Sequence, residues 1–257
     1  MKLGIVTFQI AKDWNLETVI RNCEQIGLQG VELRTQHAHG VEIALAQPDR
    51  VRVKEAFAAS SVQLVGLGSI FEYHYEDSET LQAHIQGTKD CILLARDVGA
   101  SGIKVRPNTL PEGVPEDRTL KQIGEALSEC GQYGAEHGIE VRLEVHGRHT
   151  ARLHRIRKIL DIAAHPNVKV CWNCNPDDLA DEGFDANFDR VASDISLVHL
   201  HDLDDPAYPY QHLLRRLTES GFQGYCLAEI PSSPDPLRVL RYYKALFTAL
   251  LELSSRT

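Results

Sequence analysis

The chain has no surplus of positive charge. Across 257 residues, 27 Lys and Arg face 36 Asp and Glu, for a formal net charge of -9. Binding to duplex nucleic acid draws mainly on phosphate neutralisation, so this balance and the lack of a basic patch argue against such a partner. No apolar run approaches the length of a membrane-crossing helix. The opening stretch Met1–Phe8 is too short for a signal-peptide core and reads as a strand. The expectation is a cytoplasmic protein with neither nucleic acid nor membrane as partner. Cysteine is sparse, with six residues scattered mostly among apolar neighbours. A chain this long buries enough surface to need no disulfide framework. Cys171-Trp172-Asn173-Cys174 has dithiol spacing, but a redox pair needs its first Cys at a helix N-terminus. Here that Cys lies in a strand-like run ending in Asn-Pro, so inert buried thiols are expected. A Gly-rich turn after the first strand is also missing: Thr7-Phe8-Gln9-Ile10 offers none, which counts against a dinucleotide-binding open sheet.

What is present is alternation. Short apolar runs at Leu3–Phe8, Gly30–Leu33, Gln63–Gly66, Gly102–Arg106, Ile139–Val145, Val168–Trp172, Ser196–Leu200 and Tyr225–Ile230 read as strands. Between them, Leu16–Ile26, Leu81–Val98, Leu120–His137, Arg152–Ala164, Gln211–Ser220 and Leu237–Leu253 carry apolar residues at helical spacing. Gly27, Gly99, Gly138 and Gly221 sit where helix C-caps belong. Eight strands alternating with helices predict a parallel sheet, and the count and length predict a closed (β/α)8 TIM barrel, one domain over residues 1–257. An open doubly wound sheet is the alternative.

Side-chain parity supports the barrel. Alternate strand residues face opposite sides. Val31 and Leu33 oppose Glu32 and Arg34; Ile103 and Val105 oppose Lys104 and Arg106. Val141, Leu143 and Val145 oppose Arg142, Glu144 and His146; Val198 and Leu200 oppose His199 and His201. An apolar face toward helices and a polar face toward a lumen accounts for all four. In such barrels the site lies at the C-terminal strand ends. Seven of the twelve histidines fall there (His37, His39, His74, His146, His149, His199, His201), together with Arg106, Asn108, Arg148, Asn173, Asn175, Asp177, Asp202 and the two glutamates Glu144 and Glu229. Four strand ends thus bring two carboxylates, an imidazole and an amide toward one point, a set suited to a divalent metal and to acid–base chemistry on a small polar substrate. Glu32, Arg34, Lys104 and Arg142 read as a paired charge network filling the lumen.

Leu143-Glu144-Val145-His146, Val198-His199-Leu200-His201-Asp202, Leu227-Ala228-Glu229 and Gly30-Val31-Glu32-Leu33 resemble strand motifs of the xylose isomerase-like TIM barrels. That superfamily of sugar phosphate isomerases and epimerases also includes inosose dehydratases and endonuclease IV. The resemblance covers the whole chain. It implies metal ligands at Glu144, Asn173, His199 and Glu229, with Mn, Mg, Co or Zn as the ion. Asn173 departs from the family, which usually has Asp there; two negative charges replace three, so weakened binding is expected. His201 or Asp177 would be the nearby groups able to compensate. The implied reaction is isomerisation or epimerisation of a sugar or sugar derivative, phosphorylated or not, through an enediolate. Glu144 and Glu229 are its acid–base pair and His146 is a further catalytic group. Arg106, Arg148, His201, His74 and Asn175 are the expected substrate contacts, with Arg142 as a further arginine. Alternatives are a lyase resembling inosose dehydratase and a non-catalytic sugar-binding barrel with a degraded metal site. An endonuclease IV-like activity needs additional His, Asp and Glu ligands and is opposed by the acidic charge. The substrate expected is a small sugar or polyol; assembly as a homo-oligomer is left open.

Overall fold

In the computed structural model, which describes residues 1–254, eight parallel strands close on one another in chain order. They are β1 (Lys2–Val6), β2 (Gly30–Arg34), β3 (Gln63–Glu72), β4 (Gly102–Arg106), β5 (Glu140–Glu144), β6 (Val168–Asn173), β7 (Ile195–Leu200) and β8 (Tyr225–Ala228). The seam is β1 against β8, with Ile5 opposite Ala228. Each strand leads into a helix: α1 (Leu16–Ile26), α2 (Gln47–Ala58), α3 (Ser78–Val98), α4 (Glu116–His137), α5 (Leu153–Ala163), α6 (Phe184–Asp189), α7 (Tyr210–Glu219) and α8 (Pro236–Ser254). This is the (β/α)8 TIM barrel expected. Residues 255–257 of the proposed single domain lie outside the described residues.

Gly27, Gly99 and Gly138 are the left-handed C-caps of α1, α3 and α4. Gly221 follows one residue beyond the C-cap of α7, also at positive φ. Two helices carry no strong sequence signal. In α2 only Val53 and Phe57 are buried, so its apolar stripe is too thin to read, and α6 spans six residues. Strand β3 runs six residues beyond its expected end, to Glu72.

Strand alternation builds two interiors. Val31, Leu33, Ile103, Val105, Val141, Leu143, Val198 and Leu200 join the helices in the main apolar core. A smaller cluster of Val6, Val65, Cys171, Leu197 and Leu227 fills the lower lumen. Above and among these lie Glu32, Lys104, Arg142, Glu144 and His199, all buried. Charge inside a barrel must be paired to be tolerated. Arg142 donates to Val65 O (2.9 Å), Ser101 Oγ (3.1 Å) and Glu140 Oε2 (2.9 Å). Gly102 makes room for it: a Cβ there would stand 2.6 Å from the Arg142 Cζ. All six cysteines are free and buried, and burial pushes the Cys171 thiol up to about 11, as inert core thiols require. Among the described residues no helix is long and apolar enough to cross a membrane.

Candidate active site and metal centre

The centre is assembled from the ends of four adjoining strands and the lumen below them. Glu144 ends β5, Asn173 ends β6, His199 lies one residue before the end of β7, and Glu229 follows β8. Pairing places Asn173 beside His199, and Glu144 beside Cys171, two residues before Asn173 on the same strand. His199 Nδ1 stands 3.3 Å from Glu144 Oε1 and 3.4 Å from Glu229 Oε2, and its Nε2 stands 3.5 Å from Glu32 Oε1. Asn173 Nδ2 donates to Glu144 Oε1 at 3.4 Å. Lys104 Nζ donates to Glu144 Oε2 at 2.8 Å, with both side chains buried.

The electrostatics follow from that crowding. Burial works to raise the Glu144 pKa, but Lys104 and then His199 bring it down to about 2. Burial likewise opposes ionisation of Glu229, and His199, His201 and Lys104 hold it well below the usual carboxylate range. Burial disfavours a charged His199, yet its neighbours Cys171, Glu32 and Glu229 raise it well above the ordinary imidazole value. Because the buried Cys171 thiol stays neutral, the carboxylates are the physical source of that rise. Lys104 is raised in spite of burial by Glu144, Glu32 and Glu229 and stays an ammonium.

A divalent cation fits this set. One ligand atom each from Glu144, His199 and Glu229 lie within 4.8 Å of one another. Asn173 Oδ1 and both His199 ring nitrogens are buried without a hydrogen-bond partner, and such atoms are costly unless something else satisfies them. Lys104 works against the cation, because its ammonium already occupies Glu144 Oε2.

Above the centre opens a cavity of about 540 Å³. Lys104, Arg106, Glu144, His146, Asn173, Asn175, His201, Asp202 and Glu229 line it, with Phe8, Gln9 and Arg34 on the β1–β2 side and Ile230 and Pro231 after β8. His146 Nδ1 is buried without a partner, and burial lowers the pKa of this imidazole so that it is neutral near pH 7. His201 Nε2 lies 3.7 Å from Glu229 Oε2. Arg106 is committed to Glu72 at 2.5 Å. Asn175 Nδ2 donates to Val145 O and Asn173 O, both at 2.6 Å, which ties the β6 end down.

The remaining expected contacts stand elsewhere. Arg148 is exposed and does not line the cavity; its backbone bridges to Thr109 in the loop after β4. His74 stacks on Tyr75 beside Glu72, behind Arg106. Asp177 is drawn outward to Arg152 at 2.8 Å, leaving His201 as the nearer of the two groups that could compensate for Asn173. His39 is buried, its ring meeting Arg34 O at 2.7 Å. Phe8, Gln9, Arg34, Lys104 and Asp202 line the cavity without being expected as substrate contacts. The parity that put Arg34 and Lys104 on the polar strand face was the signal available for two of them.

No functionally curated protein matches the sequence significantly. Among solved structures, a 3-keto-D-glucoside 4-epimerase from E. coli is 17% identical with a TM-score of 0.81, over 96% of this chain and 99% of that one. An L-ribulose 3-epimerase is 14% identical with a TM-score of 0.84, over 99% and 96%. The IolI protein with a bound zinc atom is 15% identical with a TM-score of 0.81, over the whole of both chains. At these identities the likeness establishes the fold. Residues 20–246 match the family profile of the xylose isomerase-like TIM barrels, and the chain belongs to that family.

Proposed function

We propose that this protein is a metal-assisted isomerase or epimerase of a sugar or sugar derivative. The observation that carries the reading is the convergence of Glu144, His199 and Glu229 within 4.8 Å at the floor of a cavity large enough for a hexose. Family membership and the two sugar epimerases among the structural neighbours support it, and the zinc of the third supports a metal.

Glu144, His199 and Glu229 would hold the ion, with Asn173 offering a neutral oxygen. When bound, the ion supplies Lewis-acid polarisation of a substrate carbonyl. The protein's own groups do the rest. Glu229 has one oxygen near His199 and His201, no ammonium within ion-pair reach among the described residues, and partial access to the cavity (12% exposed). It is the better placed carboxylate to take a proton from the carbon beside the carbonyl. Glu144 is pinned between Lys104 and Asn173, so it is the more rigid partner, acting from the β5 side. The neutral His146 and the imidazole of His201 hold substrate hydroxyls and relay protons at oxygen. The Lys104 ammonium stabilises negative charge that develops nearby.

Incubation of the protein with Mn²⁺ and a panel of ketoses and aldoses in deuterated water tests this. The expected result is deuterium at the carbon next to the carbonyl in at least one sugar, lost on chelation. No incorporation across the panel, with no metal uptake by calorimetry, would instead favour a sugar-binding barrel that has lost its chemistry.

A further inference from the structure

Three cations line the cavity, and two of them are already neutralised. Lys104 is bound to Glu144 and Arg106 to Glu72. Arg34 is different. Its guanidinium lies 4.7 Å over the Phe8 ring, and among the described residues no carboxylate comes within ion-pair distance of it. Its five N–H donors therefore have no protein acceptor. The residue is nonetheless firmly placed. Its backbone N–H donates to the buried Thr7 Oγ1 at 2.8 Å, and its carbonyl meets the buried His39 ring at 2.7 Å. Both peptide groups flanking the side chain are fixed, and the aromatic face below limits the guanidinium to a stacked position. An arginine presented this way loses little freedom when it binds a planar or tetrahedral oxyanion through two parallel bonds.

The cavity also holds opposite charge. Glu144, Glu229 and Asp202 line it from the ends of β5, β8 and β7, and Arg34 from the end of β2. A neutral sugar would leave that guanidinium unpaired beneath it. A sugar carrying an anionic group would satisfy it, while its hydroxyls face Glu144, Glu229 and Asp202 in the same cavity. We propose that Arg34 anchors a carboxylate or phosphate carried by the substrate, so that the site takes an acidic or phosphorylated sugar. This rests on the sugar-site reading above and narrows its substrate class.

The test measures affinities of the Mn²⁺-loaded protein for D-fructose, D-fructose 6-phosphate and D-fructuronate by calorimetry, for the native sequence and for R34Q and R34K. One of the two anions is expected to bind roughly 10- to 100-fold more tightly than fructose, the range of a charge-assisted bidentate contact. The anion that does so identifies the oxyanion. R34Q is expected to abolish this preference and R34K to keep part of it. The assignment is overturned if fructose binds as tightly as both anions, or if R34Q keeps the full preference. Binding of none of the three overturns the sugar-site reading and the assignment with it.

Discussion

Asn173 and Lys104 together set how this centre differs from a three-carboxylate metal site. Asn173 contributes an unpartnered buried oxygen where the family usually has Asp, so a negative charge is missing. Lys104 adds a positive charge 2.8 Å from an oxygen of Glu144, one of the proposed ligands. Both changes lower affinity for a hard cation, whose attraction scales with ligand charge. Asn173→Asp is expected to tighten Mn²⁺ binding about 10- to 100-fold, the range over which small changes around a ligand set act. Lys104→Met is expected to tighten it as well, and to cost metal-free protein about 3–5 kcal/mol because Glu144 is left buried without its partner. Thermal unfolding with and without Mn²⁺ reads both effects. Unchanged affinity in Asn173→Asp would mean that position 173 is not a ligand. The Asn173 half of this was visible in the sequence, because the residue ends a strand in a recognisable series. The Lys104 half was not: parity says which face Lys104 occupies, but not its height in the lumen or its partner.

At the scale of elements, β6 and the turns after β6 and β7 are locked by a buried polar chain. Trp172 Nε1 donates to Tyr208 Oη (3.0 Å), which donates to Asp178 Oδ2 (2.6 Å), and Asn175 N–H donates to the same oxygen (3.0 Å). Burial raises the Asp178 carboxyl from 3.8 to about 7, against the hydrogen bonds from Tyr208 and Asn175. The sign follows from proton counts. Between these two values the folded state keeps a proton that the unfolded chain has lost, so the contribution to stability is complete below about pH 4 and is lost as pH rises toward 7. The loss amounts to as much as about 4 kcal/mol at 1.36 kcal/mol per unit. Asp178→Asn, neutral throughout, should lack this slope, so its stability relative to the native sequence should improve from pH 4 to 7 in urea unfolding. A constant difference across that range would contradict the argument. Elements with strong periodicity or capping glycines, such as α1 with Gly27, were legible in the sequence. The helix α2, with two buried side chains, and the short α6 were not, because their position depends on strands that pair far away in sequence.

For the whole molecule, the closed barrel and the charged lumen serve one end of the structure. The outer apolar shell holds eight strands around one lumen, and their ends bring one atom each of Glu144, His199 and Glu229 within 4.8 Å of one another. The barrel and the convergence of strand ends were readable from alternation and parity. The proposed anion anchor was not, because Arg34 and Phe8 meet through the pairing of β1 with β2. The central claim is that the two glutamates move a proton at carbon. Its most direct measurement is deuterium incorporation from solvent next to the carbonyl of a turned-over sugar, compared among the native sequence, Glu144→Gln and Glu229→Gln, each loaded with Mn²⁺. The account predicts incorporation in the native protein and a loss of at least about 100-fold in each variant, the scale of general acid–base catalysis. Incorporation at the native rate in both variants would contradict it.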